Sequence, residues 1–168
     1  MPPFGRSYQP FLAVLGVWIV IVFAGTARWV GATRAVVQRA LLGAVAAGVL
    51  NIGLDALAHH LGWWRYPDST APFGPLVYYV EAGLGFGVFA LVTTKFGPRS
   101  VLPIAAGLCV YGPVRDRITA HLTHLMAFRD GSLGIGVADA LFEWVLPYLA
   151  AAAVVLTVRT SPTARTDR

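Results

Sequence analysis

Charge is what this chain has little of. Of its 168 residues only 12% are Asp, Glu, Lys or Arg, while 57% are apolar. That is about half the charged share of a soluble domain, so a soluble globule is excluded. Disorder is excluded as well, because it needs low hydrophobicity and high charge. There is one cysteine, Cys109, so no intrachain disulfide can form. Neither a Cys pair nor an H-E-x-x-H pattern occurs among the four histidines His59, His60, His121 and His124. The glycine-rich "GLGFG" follows no strand, which excludes a dinucleotide loop. Its Gly83 and Gly87, four apart, suit close helix packing.

Long apolar runs are present instead. Five stretches, 10–27, 36–61, 74–94, 101–114 and 133–158, meet or approach the ~20 apolar residues of a membrane-spanning helix. The fourth is cut short by Arg115, Asp116 and Arg117. Lipid offers no partner to unpaired backbone groups, so helices are required, and the runs lack the alternation of a transmembrane barrel. The expected fold is an all-α integral membrane protein, a bundle of about five transmembrane helices over residues 1–158 with a disordered polar tail at 159–168. The first run, with Arg6 before it and "AGTA" at its end, also has features of a signal peptide; a retained helix is the preferred reading.

The net charge of +5 follows topology rather than nucleic acid. Arg28, Arg34, Arg39, Lys95, Arg99, Arg159, Arg165 and Arg168 fall on one side of the spans, and Arg6, Arg65, Arg115, Arg117 and Arg129 on the other. The positive-inside rule then expects a multi-pass protein of the cell membrane, with its N-terminus outside and its C-terminus cytoplasmic.

Five of the eight carboxylates, Asp55, Glu81, Asp116, Asp139 and Glu143, lie in or at the edge of these spans. A carboxylate at mid-membrane costs ~2.5–3.5 kcal/mol even on a lenient scale and marks a functional site by default. Asn51, Asp55 and His59 recur every fourth residue, as do Asp139 and Glu143, and Tyr78 stands three before Glu81. Such spacings share a helix face, so the expected arrangement turns these faces inward to form one polar pocket. The competing reading is interhelical glue, worth ~0.6 kcal/mol per contact. Trp63, Trp64 and Tyr66 follow the second span, where an aromatic belt forms; the alternative is that these rings line the pocket. The histidines are read as hydrogen-bonding or acid–base groups, with no metal and no cofactor expected. A further pattern joins the two halves. Asp55, His59, His60, Arg65 and Glu81 are echoed by Asp116, His121, His124, Arg129 and Glu143, as in a duplicated helix–loop–helix unit with a site between its copies.

The run "LDALAHHLGWWRYP…FGPLVYYVEAGLGFG" resembles the small membrane lycopene cyclases and related membrane terpene cyclases. The matching positions are Asp55, Trp63, Trp64, Tyr66, Pro75 and Glu81, and "NIGLD" is similar to the Asn-x-x-x-acid helix of the fungal membrane enzymes. The resemblance covers about 35 residues and departs from the paired acids of lycopene cyclases at Ala82. It implies protonation of a hydrophobic isoprenoid by a carboxylic acid, with the cation held by aromatic faces and a second carboxylate acting as base. Glu81 and Asp55 would be acid and base in either order. His59, Asp116 and Glu143 would relay protons, and Asn51, Trp63, Trp64, Tyr66, Tyr78 and Asp139 would contact the substrate. Two other classes remain open: a small oligomeric transporter or proton relay, and a non-catalytic subunit docking a partner.

Overall fold

The computed structural model describes residues 8–67 and 76–157. The order of elements is α1 (Tyr8–Trp29), α2 (Arg34–His60), β1 (Trp64–Arg65), α3 (Leu76–Phe96), a 3-10 turn (Pro98–Ser100), α4 (Val101–Thr123), β2 (Ala127–Phe128), α5 (Leu133–Asp139), a π-helical turn (Ala140–Val145) and α6 (Leu146–Thr157). The last three form one rod, so the chain is all-α with five helical rods. Four of them, Leu12–Trp29, Arg34–His60, Leu76–Phe96 and Leu133–Thr157, are long and apolar enough to cross a membrane. The tail expected at 159–168 lies outside the described residues.

The fourth run is longer than the sequence suggested. α4 continues for 23 residues through Arg115, Asp116 and Arg117, because Arg115 Nη1 meets Asp116 Oδ1 at 2.6 Å and each charge satisfies the other within the helix. The same three charges make α4 less apolar than the other four rods.

α2 packs against both α3 and α6. Small residues let the backbones meet: a Cβ on Gly43 would stand 2.9 Å from the Ala151 carbonyl, and one on Gly83 would stand 2.7 Å from that of Ala44. This is the close contact expected of the Gly83 pattern. α1 is peripheral, packing chiefly on α3. Its Val14, Val17, Trp18, Val20 and Ile21 are exposed, a continuous apolar face of the kind that lipid covers.

Two details of chain geometry position the site. α2 ends in a Schellman motif: Gly62 takes φ 69°, its N–H reaches the His59 carbonyl, and the Trp63 N–H reaches that of Ala58. Only glycine adopts this conformation without strain, and the reversal folds Trp64 back onto the helix it has just left. The chain after α4 makes an equivalent return, so that β1 and β2 pair antiparallel with Trp64 opposite Phe128 and Arg65 opposite Ala127. The connections of the two echoed halves are therefore side by side.

The second detail is the π turn. Pro147 has no N–H to give the Glu143 carbonyl, and its ring crowds that position. The helix widens at Ala140–Val145, in the segment that carries Glu143 and Trp144. Such π turns are found disproportionately at functional sites.

Candidate functional site

All five span carboxylates are buried in one half of the bundle, and each has different company. Asp55 receives the Trp64 indole N–H on Oδ1 and the Tyr79 hydroxyl on Oδ2. Asp116 receives Arg115 on Oδ1 and the Trp144 indole N–H on Oδ2, the latter at 2.5 Å. Both oxygens of Asp139 are buried with no hydrogen-bond partner. Glu143 Oε2 accepts from Asn51 Nδ2 at 3.0 Å, and its Oε1 is buried with no hydrogen-bond partner. Both oxygens of Glu81 are buried and unpartnered.

These residues border a cavity of about 270 Å3. Glu81, Tyr78, Arg115 and Glu143 supply its polar groups. Leu15, Trp18, Ile19 and Val22 of α1 form one wall, and Phe86, Phe89, Tyr111 and Trp144 form another. The Trp144 ring is held edge-on by Phe86 at 6.0 Å and Tyr111 at 5.5 Å, with the Arg115 guanidinium 5.6 Å above it. Because Trp18 and Tyr111 are more than half exposed, the cavity communicates with the outer apolar surface between α1 and α4.

The residues expected from the sequence divide accordingly. Glu81, Glu143 and Tyr78 line the cavity. Asn51 and Asp116 bond to lining residues, and Asp139 is wholly buried without lining the cavity. Asp55, Trp64 and Tyr66 form an adjoining buried layer, with Tyr66 packed on Tyr78 at 6.2 Å. Trp63 is half-buried and packs on Phe142 at 5.3 Å. Trp64, 1% exposed, is thus a hydrogen-bond donor inside the protein rather than part of a membrane-boundary belt.

His59 is not brought to the site. It is exposed at the end of α2, because positions four apart drift by about 40° per step on a 3.6-residue helix. Two steps from Asn51 carry the face out of the core. His60, His121 and His124 are exposed too. Among the described residues no group of three or more His, Cys, Asp or Glu is arranged to hold a metal ion. Arg117 lies 4.2 Å over the Phe128 ring and bonds the Asp130 carbonyl.

Trp144, Tyr79, Arg115 and Gly16 join the site without having been singled out as site residues from the sequence. Trp144 could have been found from its place beside Glu143 and three before Pro147. Nothing in the sequence ties Tyr79 to Asp55 or Gly16 to Glu81, which meet only through tertiary packing. The chain matches no family model, no curated protein and no solved structure.

Proposed function

We propose that the chain is a membrane-embedded acid–base enzyme that cyclises or isomerises a hydrophobic isoprenoid. The observation that carries this reading is Glu81, a buried carboxyl group with both oxygens unpartnered at the polar end of an apolar, aromatic-walled cavity. One half-buried guanidinium, Arg115, cannot balance five carboxylates, and unpaired charges are not tolerated in such surroundings, so the cluster carries protons. Glu81 donates one to an alkene carbon: a new C–H bond forms from the π pair, leaving a tertiary cation and the Glu81 carboxylate. The faces of Trp18, Trp144 and Tyr111 stabilise that cation, each by ~2 kcal/mol or more when desolvated. Glu143 Oε1 removes a C–H proton to restore the double bond, and proton transfer back to Glu81 closes the cycle with no change in redox state. Asp55, with both oxygens engaged, serves as a positioning residue through Tyr79 and its neighbour Tyr78. A cavity of about 270 Å3 is at the small end of ligand pockets; it suits one end of an isoprenoid whose remainder lies in lipid between α1 and α4.

The protein is read as residing in the cell membrane with its C-terminus cytoplasmic, from the charge bias. Lipid profiling tests the activity: cells that make isoprenoids and express the native chain accumulate a new isomer or ring product, and Glu81→Gln abolishes it at equal protein level. Unaltered product in both Glu81→Gln and Glu143→Gln rejects the reading.

A second reading is favoured by the same row of carboxyl groups, since Glu81, Glu143 and Asp139 all keep unpartnered oxygens. They could pass protons rather than act on a lipid. Proton flux in proteoliposomes, lost in Glu143→Gln, distinguishes it.

A further inference from the structure

The opposite end of the bundle has its own concavity and its own sign of charge. Arg28, Arg34, Arg39, Lys95 and Arg99 stand at this end, and no carboxylate among the described residues does. Between the α1–α2 turn, the end of α3 and the end of α6 lies a cavity of about 340 Å3, walled by Gly31, Val36, Arg39, Thr94, Lys95 and Val155 among others. It has room for roughly ten water-sized groups.

Its two cations are held in place by backbone. Arg39 Nη1 donates to the Val155 carbonyl at 3.5 Å. Lys95 Nζ donates to the Trp29 carbonyl at 3.3 Å and lies 4.2 Å over the Trp29 ring. These contacts help to orient both side chains at the wall of the cavity. Thr33 caps α2 at the cavity edge, accepting from the Val36 N–H, and the helix N-terminus adds partial positive charge. Gly31, at φ 66° and with open space where a Cβ would be, leaves the rim clear. The positive-inside rule assigns this end to the cytoplasmic side, where anionic lipid headgroups are found.

We propose that this cavity is a binding site for a phosphate group, supplied by an anionic phospholipid headgroup or by free phosphate, with Arg39 and Lys95 as its cationic contacts. The site is separate from the carboxylate cluster and does not depend on the activity proposed for it. α2 alone puts Arg39 and Asp55 sixteen residues apart, about 24 Å along the helix.

The full chain, purified in an uncharged detergent, is titrated with dioctanoyl phosphatidylglycerol, dioctanoyl phosphatidylcholine and inorganic phosphate while thermal unfolding is followed. Phosphatidylglycerol is expected to raise Tm saturably, with an apparent affinity roughly thirtyfold weaker in Arg39→Gln/Lys95→Gln, the loss expected for two cations at an anionic headgroup. Arg129→Gln, at the other end, should behave as the native chain. Exposed Lys95→Gln alone serves if the double variant does not fold, and it should weaken the response severalfold. Stabilisation by phosphatidylglycerol alone identifies a lipid headgroup site; stabilisation by inorganic phosphate as well identifies a free-phosphate site. Equal responses to phosphatidylcholine and phosphatidylglycerol, responses that survive Lys95→Gln unchanged, or no response to either anion would overturn the proposal.

Discussion

The Glu81 carboxylate is packed against the backbone of Gly16: a methyl group on Gly16 would stand 3.1 Å from Glu81 Oε1. Gly16→Ala is therefore a probe that moves the acid without removing it. The obstructed atom is the end of a flexible side chain, and alanine favours a helix over glycine by about 0.5–1 kcal/mol. The expected outcome is unchanged or slightly raised thermal stability with isoprenoid conversion lowered severalfold, since the carboxyl group must give by a few tenths of an ångström and a misplacement near 1 Å can cost up to ~100-fold. Full activity in Gly16→Ala would show that the Glu81 position is not critical.

Asp55 and Glu81 should separate into a structural and a chemical carboxylate. Asp55 is wholly buried and holds the Trp64 indole and the Tyr79 hydroxyl. Asp55→Ala orphans both donors at about 1–3 kcal/mol each, so unfolding in detergent should occur at clearly lower temperature. Glu81 has no donor to orphan, and Glu81→Gln should unfold at the native temperature. Equal stability of both variants contradicts this division.

Much of this arrangement is readable in the sequence and some is not, for identifiable reasons. Apolar runs and the cost of carboxylates inside them led to the helices and to Glu81, Glu143 and Asp116. The true end of α4 was hidden, because Arg115 next to Asp116 looks like a terminus until the pair and the Trp144 donor are seen to neutralise it. Trp63 and Trp64 look alike in sequence, yet only the second folds back to Asp55; Gly62 hints at the reversal but not at its direction. His59 fits a four-residue spacing that a 3.6-residue helix does not sustain over two steps. The substrate class is carried only by the resemblance and the cavity chemistry.

Gly112 and Trp144 should behave as a coupled pair. A Cβ on Gly112 would lie 2.3 Å from Trp144 Cδ1, and the atoms concerned belong to a rigid ring already fixed by Asp116 and Tyr111. Gly112→Ala is expected to destabilise by about 1–3 kcal/mol, the usual cost of overpacking. In a Trp144→Leu background the same change should cost much less, with a coupling of about 0.5–3 kcal/mol in a double-mutant cycle of thermal or denaturant unfolding. Additive effects would mean that the ring moves aside freely.

Pro147 offers the test of whether the π turn serves the site. Alanine at 147 supplies the missing N–H to the Glu143 carbonyl and removes the ring that crowds it, which favours an ordinary α-turn over Ala140–Val145. Closing a π turn removes one residue from the register, about 100° of rotation. α6 is pinned to α2 where Gly43 meets Ala151, so the rotation falls on Glu143 and Trp144. The expected result for Pro147→Ala is retained helicity by far-UV circular dichroism, altered tryptophan emission as Trp144 leaves Asp116, and loss of isoprenoid conversion comparable to Glu143→Gln. Native activity with native emission would mean that packing against α2 and α4, rather than Pro147, holds the turn open, and the widened helix would then be a consequence of the site instead of its cause.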